Sequence, residues 1–214
     1  MQNTALFSGF QDIEAQKMLK CIGGIIKNCN TNETIMSYKE APDYLYVVLS
    51  GTAELASYDY DGHKTVLERF LPDSLFGDMF FSPLGEDDFS VYATSSCEIL
   101  YFRYNDALNQ CENVCKRHKM FLDNLFTLLS KKFIAQSKHI EILTKGTIRE
   151  KLLCYLRHRE AETGSFSFSL PMSLSSLADY IGVDRSAMQR EIRRLNDEGI
   201  IMSKGKKITL IKKF

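Results

Sequence analysis

Residues 173–202, SLSSLADYIGVDRSAMQREIRRLNDEGIIM, constrain this 214-residue chain more tightly than any other stretch. Leu174, Leu177, Ala178 and Ile181 recur at i, i+3, i+4 and i+7, the apolar face of a short helix. Ser173 can cap its start, and Gly182 can take the left-handed backbone that ends it. Asp184 can then cap a second helix, with Ala187, Met188, Ile192 and Leu195 as its apolar face and Gly199 as its stop. Two short amphipathic helices joined by a tight glycine turn are the sequence form of a helix-turn-helix. On the second helix Arg185, Ser186, Gln189 and Arg190 project from the exposed N-terminal side. Arginine can bond bidentately to a guanine edge and glutamine to an adenine edge in the major groove, and base contacts fall in the first turns of such a helix. The spacing predicts contact with double-stranded DNA. An ordinary solvated helix face would carry the same charges, but not together with the turn and both caps.

Formal net charge is zero, yet it is unevenly spread. Residues 146–214 hold 13 Lys/Arg against 8 Asp/Glu, and residues 1–145 hold 14 against 19. A basic C-terminal part suits phosphate contact, while an acidic remainder limits non-specific attraction to DNA. No stretch is apolar enough to span a bilayer, and residues 1–16 lack the charged start and apolar middle of a secretion signal. The expectation is a cytoplasmic protein without a membrane partner. Its six cysteines, Cys21, Cys29, Cys97, Cys111, Cys115 and Cys154, are scattered rather than framed, as suits reduced thiols.

A short helix is expected over 12–19, followed over 24–103 by a run of short strands. Residues 44–49, 52–58, 63–70, 89–94 and 98–104 read as strands, punctuated by Ser50-Gly51, Asp61-Gly62 and Leu71-Pro72-Asp73. Many short strands with turns between them predict an antiparallel sandwich or jelly roll. The period then changes. Leu122, Phe126, Leu129, Phe133, Gln136, Ile140 and Leu143 alternate at spacings of four and three, a two-stranded coiled-coil seam with one polar member. Leu125 and Leu128 broaden the apolar surface toward the chain's own sandwich. The reading is a dimerisation helix over 118–145; an ordinary core helix would serve only its own monomer. Thr147 and Glu150 form a capping box for the next helix, expected through about residue 158. Phe166, Phe168 and Leu170 alternate with serines, a half-buried strand. A hairpin over 202–211 carries a positive tip, Lys204-Gly205-Lys206-Lys207, the form of a wing that touches phosphates. Three parts follow: a sensor domain over 1–117, the helix over 118–145, and a winged helix-turn-helix over 146–214.

That order resembles the cyclic-AMP receptor protein and fumarate and nitrate reduction regulator family of bacterial transcription regulators. The resemblance covers nearly the whole chain. It rests on Leu6-Phe7-Ser8-Gly9-Phe10, the strand from Leu45 into Ser50-Gly51, Asp61-Gly62, Phe76-Gly77-Asp78 and the helix-turn-helix, in that order. The resemblance implies an α+β protein with an N-terminal β jelly roll of the cyclic-nucleotide-binding kind, a long dimerisation helix and a C-terminal winged helix-turn-helix. It implies a homodimer that reads a palindromic operator and has RNA polymerase as a further partner. It places Arg185, Ser186, Gln189 and Arg190 at the base-contact positions, with Ser186 where well-known members carry an acidic residue.

The resemblance also bears on the effector. Members that bind cyclic nucleotides hold the ribose with Gly-Glu and the phosphate with Arg-Ser. Here Gly77-Asp78 is a shortened form of the first, and Glu86-Asp87-Asp88-Phe89-Ser90 stands where the second belongs. A buried phosphate needs a paired cation, and carboxylates repel it. The expectation is a regulator that responds to something other than a cyclic nucleotide. Any small effector would lie near Gly77, Asp78 and Ser90, with Gln136 and Ser137 where the family closes its pocket. Its identity is not encoded in these residues, nor is a cofactor.

The oxygen-sensing members hold an iron–sulfur cluster on closely spaced N-terminal cysteines, a pattern that Cys21 and Cys29 do not match. Cys111, Cys115 and His118 fall at 0, +4 and +7, where one helix face could hold a metal or haem iron. The same pair of thiols could serve as a redox switch, or simply as small buried hydrophobes. His63 falls at a hairpin tip, and His139 and His158 have no evident partner. No nucleophile–base pair, phosphate-cradling glycine loop or hydrolytic metal spacing is present, so no enzyme is expected. The alternative to a DNA-binding regulator is a ligand-binding module that acts through protein partners.

Overall fold

Strands buried on both faces organise the first half of the chain. In a computed structural model, residues 4–40, 43–58, 61, 64–77, 89–109 and 116–212 are described. The chain divides into two compact units, Met1–Lys132 and Phe133–Phe214. In the first, helix α1 (Asp12–Cys21) precedes β1 (Ile25–Cys29), β2 (Thr34–Ser37), β3 (Tyr44–Ser50), β4 (Ala53–Tyr58), β5 (Lys64–Phe70), β6 (Leu75–Gly77), β7 (Phe89–Ala93) and β8 (Cys97–Arg103). Among the described residues these make two antiparallel four-stranded sheets, ordered β1-β8-β3-β6 and β2-β7-β4-β5. The predicted strands fall within a residue or two of these bounds.

Period-two alternation divides each central strand between two cores. On β3 and β8, Tyr46, Val48 and Ile99 point between the sheets, where they meet Leu55, Phe70, Phe76 and Val91. Leu45, Val47, Leu100 and Phe102 point the other way, onto Leu6, Phe7, Met18 and Ile22. Phe76 stacks on Phe70 at 4.8 Å and on Tyr46 at 5.0 Å, filling the space between the sheets with rings. The turn glycines are sterically required. Gly51 has φ +78°, and a Cβ there would sit 2.3 Å from the Ser96 carbonyl oxygen. A Cβ on Gly77 would sit 2.4 Å from that of Tyr44, because β6 runs directly against β3.

After α2 (Tyr104–Leu108) comes the long helix α3 (Lys116–Leu143). Phe121, Leu125 and Leu128 bury against the outer face of the first sheet, as expected for Leu125 and Leu128. Asn124 fastens the helix to the N-terminal segment, its Nδ2 donating to the carbonyls of Leu6 at 3.0 Å and Ser8 at 2.8 Å.

The second unit opens with the last turns of α3 and continues through α4 (Ile148–Thr163), β9 (Ser167–Ser169), α5 (Leu174–Tyr180), α6 (Arg185–Asp197), β10 (Ile201–Lys204) and β11 (Lys207–Leu210). Among the described residues, β10, β11 and β9 form a three-stranded sheet in that order. The capping box at Thr147 and Glu150 is present. The helix it starts runs five residues beyond the expected end, because nothing stops it before Gly164 takes φ +65°. Ile142, Leu152, Leu156, Phe168, Leu177, Ile181, Met188, Leu195, Ile201 and Ile208 make one core. No helix among the described residues is long and apolar enough to cross a membrane.

Candidate nucleic-acid interface

The helix-turn-helix is set by its caps. The Ser173 hydroxyl accepts from the Ser176 N–H at 3.1 Å, and the Asp184 carboxylate accepts from the Ala187 N–H at 2.8 Å. Gly182, at φ +63°, makes the turn between them. Met188 and Leu195 are wholly buried and Ile192 nearly so, which fixes the roll of α6. Its opposite side is therefore presented outward. Arg185, Ser186 and Arg190 are exposed and Gln189 is half-buried. Neither Arg185 nor Arg190 has a hydrogen bond or ion pair to any described residue.

Arg193 belongs to the same face and was not singled out from the sequence. At about 100° per residue it falls angularly between Gln189 and Arg190, one turn further on. It is exposed and equally unengaged. A helical wheel drawn past the second turn would have found it.

Two other arginines are spent on holding the helix. Arg149 of α4 donates to Glu191 of α6 at 3.2 Å and to Glu198 just beyond it at 2.9 Å, while Arg194 donates to Glu191 at 3.4 Å. Glu191 is buried, so these cations compensate a carboxylate that would otherwise be stranded. The Arg149 guanidinium holds the Glu198 carboxyl below its ordinary range. Sequence pattern did not reveal this set, since Arg149 lies 42 residues from Glu191.

In the hairpin, Gly205 at φ +62° makes the turn, and Lys204, Lys206 and Lys207 are exposed around it. Asn196 ties the hairpin to the recognition helix by accepting from the Ser203 N–H at 2.7 Å. The wing is thereby built onto the end of α6.

The expected seam on α3 is partly open. Phe126, Phe133, Ile140 and Leu143 are 71%, 61%, 61% and 42% exposed, Leu122, Leu129 and Gln136 are half-buried, and Ile134 is exposed beside them. Four large apolar side chains facing solvent along one helix form an unsatisfied surface.

The expected effector residues are placed less suggestively. Gly77 is explained by its close approach to Tyr44, and its carbonyl accepts from the Tyr38 hydroxyl at 3.2 Å. Asp78 and residues 86–88 lie outside the described residues, as do Gly62 and His63. Ser90 is buried, but it alternates with Phe89, Val91 and Ala93, which pack toward the inter-sheet core, so it faces the other way. Gln136 and Ser137 lie in the C-terminal unit, half-buried and exposed respectively.

Cys111 and Cys115 also lie outside the described residues. His118 is buried, and its ring is engaged by the Ala107 carbonyl at 2.7 Å from Nε2. Two expectations need correction. His139 has a partner: its ring stacks on Tyr180 at 4.0 Å and its Nε2 lies 2.7 Å from the Tyr180 carbonyl. His158 has two, Glu141 and Cys154. The cysteines are not all scattered either, since Cys29 and Cys97 face each other across β1 and β8.

Comparison with known proteins agrees with this architecture. Residues 26–114 match the cyclic nucleotide-binding domain family, and residues 150–213 match the Crp-like helix-turn-helix domain family. The chain is 24% identical over 201 residues to the transcriptional activator protein FnrL of Cereibacter sphaeroides, covering 88% of this chain and 77% of that one. It is 26% identical over 174 residues to the fumarate and nitrate reduction regulatory protein of Yersinia pestis, covering 78% and 66%. Among solved structures, CprK in complex with OCPA shares the fold with a TM-score of 0.68 at 16% identity, covering 92% of each chain. A cyclic nucleotide-binding domain containing protein from Listeria monocytogenes does so at 0.65 and 18%, covering 92% and 97%. The chain belongs to the cyclic-AMP receptor protein and fumarate and nitrate reduction regulator family, whose members are DNA-binding transcription regulators rather than enzymes.

Proposed function

We propose that the protein works as a cytoplasmic homodimer that reads a palindromic operator through Arg185, Ser186, Gln189, Arg190 and Arg193. Lys204, Lys206 and Lys207 of the wing contact phosphates. The observation that carries this reading is the contrast among the arginines. Arg149 and Arg194 are engaged by Glu191 and Glu198, while Arg185, Arg190 and Arg193 have no partner among the described residues and share one outward face. Keeping three guanidiniums unpaired on a helix anchored this firmly suits an external polyanion.

The three parts keep separate tasks, sensing over 1–117, dimerisation over 118–145 and DNA contact over 146–214. Dimerisation uses Leu122, Phe126, Leu129, Phe133, Gln136, Ile140 and Leu143, supported by the exposure of the phenylalanines and Ile140. The sensor domain takes a small effector other than a cyclic nucleotide, near Gly77, Asp78 and Ser90, with Gln136 and Ser137 on the helix. The carboxylates Glu86, Asp87 and Asp88, standing where the resemblance places a phosphate-pairing arginine, support that exclusion. RNA polymerase is the further protein partner, a reading supported by relatives named as transcriptional activators.

The test is selection from a pool of random duplexes. The reading expects enrichment of an inverted repeat whose half-sites lie about one helical turn, roughly 34 Å, apart. Enrichment of a single unpaired half-site would contradict the dimer. No enrichment at all would contradict specific readout.

A further inference from the structure

We infer that Glu141, Cys154 and His158 form a binding site for a zinc-type divalent transition-metal ion at the junction between the last turn of α3 and α4. Cys154 and His158 stand four residues apart on one face of α4, and Glu141 reaches them from α3. The Glu141 Oε2 lies 3.1 Å from His158 Nε2, which lies 4.0 Å from Cys154 Sγ. The three ligand atoms all fall within 4.8 Å of one another. A tetrahedral zinc ion with bonds of about 2.3 Å to sulfur and about 2.0–2.1 Å to nitrogen needs its ligand atoms roughly 3.3–3.6 Å apart. Shifts of about 0.2–0.7 Å bring the Glu141–His158 and His158–Cys154 contacts to that spacing, within reach of ordinary side-chain adjustment.

Chemistry favours the same occupant. Thiolate, imidazole and carboxylate together are the donor set of zinc and its neighbours, whereas calcium and magnesium take oxygen alone. A thiolate and a carboxylate cancel the charge of a dication, so the complex is neutral where Cys154 is buried. Lys145 stands 3.5 Å from the other oxygen of Glu141, leaving Oε2 directed at the site. On coordination, the proton on His158 Nε2 that the Glu141 carboxylate accepts exchanges through solvent to Nδ1, freeing the Nε2 lone pair for the metal, and the Cys154 thiol proton passes to solvent. Three protein ligands leave a fourth position for water, the arrangement of an exchangeable rather than a sealed site. Coordination would clamp α4 to the end of α3 across the Thr144–Thr147 connection. This inference stands apart from the DNA-binding reading, since the three residues do not belong to the α6 face.

The experiment titrates untagged full-length protein with Co²⁺ under reducing, oxygen-free conditions. One equivalent per protomer should produce a thiolate-to-cobalt charge-transfer band in the near ultraviolet, and added Zn²⁺ should bleach it. Cys154→Ser should abolish the band, while a Cys111→Ser, Cys115→Ser double variant keeps it. Glu141→Gln changes an exposed side chain and so retains the fold; it should weaken Co²⁺ binding at least tenfold. A band that survives Cys154→Ser, or Co²⁺ that never binds stoichiometrically to the wild type, would overturn the assignment. So would equal affinity in Glu141→Gln.

Discussion

Phe133 offers a quantitative handle on the dimer. It is 61% exposed on α3, between Phe126 and Ile140, and its ring contributes little to its own protomer. A phenylalanine presents about 200 Å² in all, so about 120 Å² of Phe133 faces outward. Burial of both copies at a two-fold seam removes about 240 Å² from water, which at about 25 cal/mol per Å² is about 6 kcal/mol. Alanine retains part of that contact and neighbouring side chains close some of the gap, leaving roughly 3–4 kcal/mol. At 1.4 kcal/mol per decade, Phe133→Ala should raise the dimer dissociation constant by about two to three orders of magnitude. Sedimentation equilibrium across nanomolar to micromolar protein measures it, with circular dichroism confirming unchanged helicity. A dissociation constant within threefold of wild type would refute the seam, as would a wild type that is monomeric at tens of micromolar.

Other consequences follow from burial and charge. Met188 is wholly buried beneath the recognition helix, so Met188→Ala should destabilise the C-terminal unit by about 2–5 kcal/mol in denaturant unfolding; a loss below about 1 kcal/mol would contradict tight packing there. Burial, with Cys29 opposite, pushes the Cys97 thiol up from 9.0 to about 11. At pH 8 its thiolate fraction is then about a hundredfold below that of an ordinary thiol, and alkylation followed by peptide mapping should show at least that retardation; comparable rates would contradict it. The hydrogen bond from Arg149 holds Glu198 below its ordinary 4.5. A carboxylate depressed on folding contributes stability that is complete above pH 4.5 and is lost as pH falls through the lower folded value. Glu198→Gln should therefore flatten the fall in stability below pH 4.5, and an unchanged acid slope would contradict the pairing.

What the sequence made legible was local. Ser173, Asp184, Thr147 and Gly182 act within four residues of themselves, so caps, turn and helix phase could be read directly from spacing. The face carrying Arg185 and Arg190 follows from the same phase, and Arg193 was missed only because the reading stopped at the first two turns. Strand alternation located β3 and β8, but their burial on both faces depends on which layers cover them. What was missed is mostly non-local. The pairing of Arg149 with Glu191, of Cys29 with Cys97, and of Glu141 with His158 each joins separate elements, and only packing brings them together. Cys154 and His158 are the exception, since their i, i+4 spacing was visible without a structure. Gly77 shows two reasons meeting at one position: the resemblance places it beside a ligand, and the approach of β6 to β3 gives it a steric reason of its own.

The central claim is that an unpaired arginine face on α6 reads bases. Its most direct test is an equilibrium titration of one selected operator and one scrambled duplex at the same salt, with wild type and Arg190→Ala. The account predicts that wild type prefers the operator by about a thousandfold or more. Arg190→Ala should lose about 1–3 kcal/mol on the operator and relax the preference at one base position in each half-site. Equal wild-type affinity for the two duplexes, or an Arg190→Ala protein that binds and discriminates as the wild type does, would contradict it.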